Sequence, residues 1–248
     1  MDHALFGDLN EKGFLSPAVE LVKAKLKSTH KKNFEDVEAA SGVAQYLVMG
    51  AGVYQDVPHM VASLILFHKA VRSCQAAILL CERGLVVDAQ TLTRSAVESL
   101  FHAVALINDP AVFVQMGKYG DTEEKKQAQG MIRSLSELGL NDQNVGDLSE
   151  VISRAEGPAS KFSAYDAARI AGLMPLYETI YRGLSAVASH ATLRSMDSSL
   201  DIRDGNAVLL TGPTEYHLDF TLGLLKVCLE VSSTKLREHF IFEESGIE

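Results

Sequence analysis

One segment of the chain combines an arginine and a histidine in a way that suits acid–base chemistry on a phosphate. The segment is YRGLSAVASH, residues 181–190, in which Arg182 and His190 are eight positions apart. On a helix this spacing separates the two Cα atoms by about 12 Å and about 80°. Their long side chains could converge on one ligand without touching each other. A histidine can transfer protons near neutral pH, and an arginine can stabilise the charge of a phosphate.

The same helix also allows a purely structural interpretation of these two residues. Its apolar stripe runs through Leu173, Leu176, Ile180, Leu184 and Val187. Arg182 falls outside this stripe and follows Glu178 by four positions, so a surface ion pair is the structural explanation. His190 flanks the stripe near the helix end, where the helix dipole favours a histidine. Gly183 and Ser185 keep one face thin, which would let a ligand approach the backbone closely.

A second segment, TRSAVESLFH over residues 93–102, places a charge where apolar side chains are expected. Arg94 lies seven residues from both Val87 and Phe101, and seven residues turn a helix by about 700°, so all three share one direction. An arginine on an apolar stripe needs a partner for its charge. Glu98 follows four residues later and can form an i,i+4 pair with it. His102 follows Glu98 by four residues, about one turn further along the same side of the helix.

Other motifs that carry chemistry are missing from the sequence, and no cofactor or metal is therefore predicted. There is no GxGxxG after a strand, no P-loop, no HExxH, no CxxC and no GxSxG. Glu98 with His102 would need at least one further ligand to hold a metal ion. Cys74 and Cys81 are seven residues apart on one predicted helix, which favours core thiols over nucleophiles.

The composition is that of a globular protein with an acidic surface. Of the 248 residues, 47% are hydrophobic and 22% are charged, and the net charge is −9. Such a surface disfavours non-specific binding of nucleic acid. The start of the sequence lacks a basic, apolar leader, and the apolar run 60–81 is interrupted by His68, Lys69 and Arg72. We therefore expect a soluble, cytoplasmic protein that does not insert into a membrane.

Helical periodicity dominates the chain and predicts the elements that must position these residues. The predicted helices start at Ser16 (N-cap) with Pro17 as the first helical residue, and then cover 34–54, 58–83, 86–108, 111–138, a short stretch through 154, 164–172 and 174–191. The segment SLDIRDGNAVLLTG contains two extended runs around an Asp-Gly-Asn turn and predicts a β-hairpin near residues 198–212. A last helix is predicted from Pro213 to the C-terminus.

These elements predict an all-α fold, a helical bundle with one small β-hairpin near residues 198–212. No repeat and no long linker interrupts the chain. We therefore expect one helical domain over residues 1–248. In this prediction the helices of residues 16–55 are peripheral, and the core covers about residues 60–238.

Together the two helices resemble a bacterial helical family that is known only as a domain of unknown function. The resemblance rests on LTRSAVESLFHAVALINDP, on the later YETIYRGLSAVASHAT and on the hairpin that follows, and it covers roughly residues 60–215. Its shared positions are an Arg-x3-Glu helix and a Tyr-Arg-x2-Ser-x4-His helix. Here they correspond to Arg94, Glu98, Tyr181, Arg182, Ser185 and His190. The family implies a helical fold and brings no activity with it.

A looser resemblance links the chain to HEPN domains, which are small helical bundles of toxins and defence systems. Many of them cut RNA without a metal, with an arginine and a histidine four to six residues further along. In this chain seven residues intervene between Arg182 and His190. This resemblance implies a metal-independent ribonuclease in which the histidine transfers protons and the arginine stabilises phosphate charge.

The sequence thus favours a binding or signalling module with a polar pocket between the two helices, for a small anion or a partner segment. The predicted binding residues are Arg94, Glu98, His102, Tyr181 and Ser185. The alternative is the HEPN-like ribonuclease, with Arg182 and His190 as catalytic residues, RNA as substrate and a homodimer that brings two copies of residues 181–190 together. A third hypothesis is structural: the charged residues pair only with one another.

Overall fold

Helices form most of the structure, a computed structural model that describes residues 3–52, 57–134, 137, 139, 141–154, 160–189, 193–196, 199–203 and 205–242. The α-helices are α1 (His3–Lys12), α2 (Val19–Thr29), α3 (Lys31–Gly50), α4 (Pro58–Cys81), α5 (Val86–Asn108), α6 (Ala111–Arg133), α7 (Asp142–Arg154), α8 (Ala164–Ile170), α9 (Leu193–Met196) and α10 (Leu218–His239). A further segment, residues 174–189, is a mixed α/π helix between α8 and α9 and is called the mixed helix below.

Two short antiparallel strand pairs complete the described fold. β2 (Leu200–Arg203) pairs with β3 (Asn206–Leu209), and Leu200 lies opposite Leu209. This pair is the predicted hairpin, and the predicted all-α bundle with one small hairpin is confirmed. β1 (Ala51–Gly52) pairs with β4 (Ile241–Phe242) and joins the end of α3 to the end of the described chain. Two-residue strands carry too little pattern for the sequence to predict this second pair.

Helix α5 lies at the centre of the bundle. It packs along α4 and also contacts α8, α10 and the mixed helix. Its side chains Val97, Leu100, Phe101 and Val104 are fully or almost fully buried. This burial follows the apolar stripe of the sequence and makes α5 the fixed element on which the polar face around Arg94 is built.

Helix α4 has the length and composition of a helix that could cross a membrane. In the bundle, however, its inner face is buried, with Phe67, Val71 and Cys74 fully inaccessible to solvent. The core helix of a soluble protein can pass the same test of length and composition, so α4 alone is weak evidence for a membrane span. Cys74, Cys81 and Cys228 are buried free thiols, as predicted for the two cysteines of this helix.

The mixed helix contains two π turns that separate short α-helical pieces. Its pieces are Met174–Leu176 (α), Tyr177–Tyr181 (π), Arg182–Leu184 (α) and Ser185–Ser189 (π). The sequence predicted a continuous helix over residues 174–191, and the described part is helical throughout. The π turns were not foreseen, because a hydrophobic stripe does not distinguish i→i+5 from i→i+4 hydrogen bonding. Such turns are rare and frequently lie at functional sites.

The last helix starts later than the sequence predicted. It begins at Leu218 and not at Pro213. The preceding turn is held against the end of α4, because the backbone N–H of Thr214 donates to the carbonyl of Gly84 at 3.1 Å. A Cβ on Gly84 would lie 2.7 Å from the Cβ of Pro213. This tertiary contact keeps residues 213–214 out of the helix, and only a glycine fits beneath them.

The first predicted cap is nearly correct. Helix α2 begins at Val19, two residues after the predicted start at Pro17. The hydroxyl of Ser16 accepts the backbone N–H of Ala18 at 3.1 Å, so Ser16 still satisfies a donor at the start of this turn.

Candidate functional site

Arg94 on α5 is held by contacts from two helices. Its Nε donates to the hydroxyl of Ser185 at 2.8 Å, and its Nη2 donates to the hydroxyl of Tyr181. Its Nη1 lies 3.3 Å from Oε2 of Glu98. The side chain is 22% exposed. The predicted i,i+4 pair is therefore present, and the mixed helix adds two contacts to the same guanidinium.

Glu98 presents one occupied and one open carboxylate oxygen. Its Oε2 faces Arg94 and also accepts a hydrogen bond from the hydroxyl of Tyr181 at 3.1 Å. Its Oε1 has no partner among the residues that the structure describes. The side chain is 37% exposed, so solvent or a ligand can reach it. The carboxylate can accept a further hydrogen bond without giving up its contact with Arg94.

Tyr181 joins the two charged residues. The guanidinium carbon of Arg94 lies 4.3 Å from the centre of its ring, in the range of a cation–π contact. Burial, assisted by the charge of Glu98, raises the pKa of Tyr181 to about 12, although the charge of Arg94 acts in the opposite direction. The phenol is therefore neutral at physiological pH. It acts as a donor to Glu98 and as an acceptor for Arg94.

Ser185 is fixed by the backbone of the mixed helix. Its hydroxyl donates to the carbonyl of Tyr181 at 2.7 Å and accepts from Nε of Arg94. Tyr181 ends the first π turn, and Ser185 begins the second. Both residues thus reach α5 from the part of the mixed helix where its hydrogen bonding departs from the α pattern.

Neighbouring aromatic rings pack against the ring of Tyr181. Tyr177 stacks on Tyr181 with ring centres 5.3 Å apart, and Phe101 lies 6.0 Å from Tyr181. Tyr165 meets Tyr177 edge-on at 5.5 Å. Sequence reasoning missed this support, although the pattern YETIY places two tyrosines four residues apart on one helix face. The neighbouring rings fix the Tyr181 ring, and with it the hydroxyl that Arg94 and Glu98 share.

The remaining predicted site residues lie elsewhere or are not described. The Nδ1 of His102 donates to the carbonyl of Glu98 at 2.8 Å, and its ring meets Phe162 edge-on at 5.5 Å. Arg182 pairs with Glu178 at 2.7 Å, and its side chain is 64% exposed. His190 lies outside the described residues. Four of the predicted site residues, Arg94, Glu98, Tyr181 and Ser185, are thus joined by contacts. His102 touches this group only through the backbone carbonyl of Glu98, and the side chain of Arg182 pairs with Glu178 instead.

We call these four residues, Arg94, Glu98, Tyr181 and Ser185, the polar cluster. It carries one positive and one negative charge. Within the described part of the chain, no group of three histidine, cysteine or carboxylate side chains is placed to hold a metal ion. Chemically, the polar cluster offers guanidinium N–H groups beyond those already bonded and one open carboxylate oxygen, both in a fixed orientation.

The fold and the polar cluster define a helical bundle with a preorganised polar site between two of its helices. A family model described as "Family of unknown function (DUF5677)" matches residues 60–207, more than half of the chain. The chain belongs to this family. The match runs from α4 to the hairpin and includes every residue of the polar cluster, and the predicted membership in a helical family of unknown function is confirmed. No curated protein and no solved structure is significantly similar to the chain.

Proposed function

We propose that this protein is a cytoplasmic binding module and that its polar cluster holds a small anion or the anionic group of a partner segment. One observation carries the proposal. Arg94 is fixed by contacts to Ser185, Tyr181 and Glu98 and is still 22% exposed. Its orientation is set before a ligand arrives, so little conformational entropy is lost when the ligand binds.

Energetics favour a ligand role over a purely structural one. A half-buried ion pair gains little net stability, because the cost of desolvation offsets the attraction between the charges. A pair of apolar side chains would hold α5 against the mixed helix at least as well. The contact instead contains two charged side chains, a tyrosine and a serine. Recognition of a polar ligand explains this composition better than packing does.

The open positions of the polar cluster define the chemistry of that ligand. An anionic oxygen suits the N–H groups that remain on the guanidinium of Arg94. A hydrogen-bond donor beside that oxygen suits Oε1 of Glu98. A small anion that carries its own O–H group satisfies both positions, whereas an anion without one leaves the Glu98 carboxylate facing a negative group.

Inorganic phosphate and sulfate provide a direct test. At neutral pH phosphate carries an O–H group and sulfate does not, so we expect phosphate to bind more tightly to the full chain in isothermal titration calorimetry. Arg94→Gln should weaken phosphate binding by about tenfold or more, which corresponds to one hydrogen-bonded charge contact. Arg182→Gln is the matched control, since it removes an arginine from a similar i,i+4 pair. Equal loss in both variants, or no binding to the wild type, would overturn the proposal.

The ribonuclease is the alternative, and it depends on Arg182 and His190. Arg182 is 64% exposed and thus accessible to a polynucleotide. Incubation of the purified protein with total RNA tests this function, with light scattering to detect the homodimer that the alternative requires. Cleavage that is lost in Arg182→Ala and His190→Ala would favour the nuclease and replace the binding module. Intact RNA after a long incubation leaves the binding module as the better explanation.

A further inference from the structure

A small cavity lies between the mixed helix and the start of α10, on a different face of the mixed helix from the polar cluster. Its volume is about 180 Å³. The cavity is lined by Gln90, Thr179, Ile180, Gly183, Leu184, Val187, His217, Phe220 and Leu224. None of these residues belongs to the polar cluster. Of them, the sequence pointed only to Gly183, as a position that lets a ligand approach the backbone.

The walls of the cavity are mostly apolar, and its size suits a single ring. Ile180 and Leu184 are buried, and Phe220 at the rim is 56% exposed. An apolar cavity of about 150 Å³ in another protein binds benzene. The volume here is slightly larger, which leaves room for one ring with one substituent but not for a fused ring system of drug size.

Gln90 gives the cavity one directed polar group. The residue is only 3% exposed, and its Nε2 donates to the hydroxyl of Thr221 at 3.1 Å. Thr221 in turn donates to the carbonyl of His217 at 2.8 Å, which fixes the orientation of the carboxamide. Gln90 lines the cavity, and its carbonyl oxygen Oε1 has no hydrogen-bond partner among the described residues.

The carbonyl oxygen of a glutamine side chain accepts hydrogen bonds. A ligand that places an O–H or N–H group at Oε1 of Gln90 gains a hydrogen bond, while its apolar part fills the rest of the cavity. The cavity therefore favours a ligand with one donor on an otherwise apolar body.

Two backbone features mark the lining of the cavity. A Cβ added to Gly183 would meet nothing within 4 Å, so there is space beside this glycine for a larger side chain. His217 at the rim has a φ of +61°, a left-handed conformation that is uncommon outside glycine, although histidine adopts it more often than most residues.

We infer that this cavity binds a single aromatic ring that carries one O–H or N–H donor. The ring lies among Ile180, Leu184 and Phe220, and the donor binds Oε1 of Gln90. The site is separate from the polar cluster, and the inference goes beyond the proposed function. Variants of Arg94 should leave it unchanged.

Phenol and toluene are the probes that test this inference, because they have the same ring and differ in the donor. Titration of the isotope-labelled full chain by NMR should give saturable shifts near Gly183 and Phe220, with a dissociation constant on the order of 1 mM for a fragment of this size. Gln90→Leu should weaken phenol relative to toluene by about fivefold or more, since only phenol loses a hydrogen bond.

Gly183→Leu should fill the cavity and abolish binding of both probes. Gly120→Leu on α6 is the matched control, because its Cβ also meets nothing within 4 Å and the residue lies outside the cavity. Circular dichroism verifies that each variant is folded. If Gly183→Leu does not fold, the ratio of phenol to toluene affinity in Gln90→Leu decides alone. The inference is wrong if wild-type protein shows no saturable shifts, if Gly183→Leu is folded and binds normally, or if Gln90→Leu leaves the ratio unchanged.

Discussion

Two arginines of this protein form the same kind of pair in different surroundings. Arg94 pairs with Glu98 on α5, and Arg182 pairs with Glu178 on the mixed helix, in both cases four residues apart on one helix. The exposed Arg182 pair has the shorter contact, 2.7 Å compared with 3.3 Å for the half-buried Arg94 pair. The distance between the charged atoms therefore does not indicate which arginine has the larger number of polar contacts.

The difference lies in what the second helix contributes. Arg94 contacts Ser185 and Tyr181, which lie about 90 residues further along the chain on another helix. Arg182 has Glu178 from its own helix and points largely into solvent. Exposed i,i+4 pairs contribute only a few tenths of a kcal/mol, because water and salt screen them. A shared polar cluster between helices gives one arginine a fixed orientation that the other lacks.

The largest expected difference between the two pairs is in the free energy of unfolding that is lost when the arginine is removed. Arg94→Ala should lower the free energy of unfolding by about 2 kcal/mol, since it breaks three polar contacts at a half-buried position. Arg182→Ala should change it by less than about 0.5 kcal/mol. Urea unfolding followed by circular dichroism measures both values. Equal effects of the two substitutions would mean that the mixed helix adds nothing to the Arg94 pair.

The raised pKa of Tyr181 predicts a loss of stability at high pH. A tyrosine ordinarily titrates near 10, and Tyr181 titrates at about 12 in the folded protein. The folded state therefore holds this proton more tightly than the unfolded state, and the resulting stability is complete below pH 10 and is lost as the pH rises toward 12.

Comparison of the wild type with Tyr181→Phe isolates this contribution. The stability difference between the two proteins should shrink as the pH is raised across that range. Ultraviolet titration of tyrosinate should show a late-titrating component in the wild type that is missing from Tyr181→Phe. A difference that stays constant up to pH 12 would contradict the partly buried position of the phenol.

The coupling free energies from double-mutant cycles should differ between the two pairs by a smaller amount. With Gln substitutions at both members, the coupling free energy of Arg94 with Glu98 should reach about 1 kcal/mol, because Tyr181 contacts both residues. For Arg182 with Glu178 we expect about 0.3–0.5 kcal/mol. Urea unfolding of the four proteins in each cycle gives these values. A larger coupling in the exposed pair would reverse our ranking of the two arginines.

Salt should produce the smallest effect. The coupling of Arg182 with Glu178 should fall toward zero as sodium chloride is raised to about 1 M, where charges are screened beyond roughly 3 Å. The coupling of Arg94 with Glu98 should change less, because the pair is partly shielded from solvent. The same cycles repeated at low and high salt measure both changes. An equal decrease of the coupling free energy in both pairs would indicate that both are equally exposed to solvent.

Much of the scaffold was predictable from periodicity. The stripe of α5 placed Val97 and Phe101 in the core and turned Arg94 toward the same side, which required a partner for its charge. Glu98, one turn away, supplied it. The hairpin followed from its turn residues. These features depend on contacts within about ten residues, where helix and strand geometry alone determine which side chains are neighbours.

Other features could not be read from the sequence, for identifiable reasons. The π turns of the mixed helix have no hydrophobic signature, although they carry Tyr181 and Ser185. The start of α10 depends on the contact of Thr214 with Gly84, which are far apart in the chain. The open carbonyl of Gln90 became visible only when α10 and the mixed helix were placed around it.

The sequence by itself determined that the chain is helical, that Arg94 faces the apolar side of its helix and that Glu98 is within its reach. Only the tertiary structure decided that Tyr181 and Ser185 complete the contacts of Arg94. Arg182 follows Tyr181 directly in the chain, yet its side chain points largely into solvent. The physical reason is that neighbours on one helix are fixed by its pitch. Neighbours on different helices are fixed by how their apolar faces pack, and that depends on the whole core.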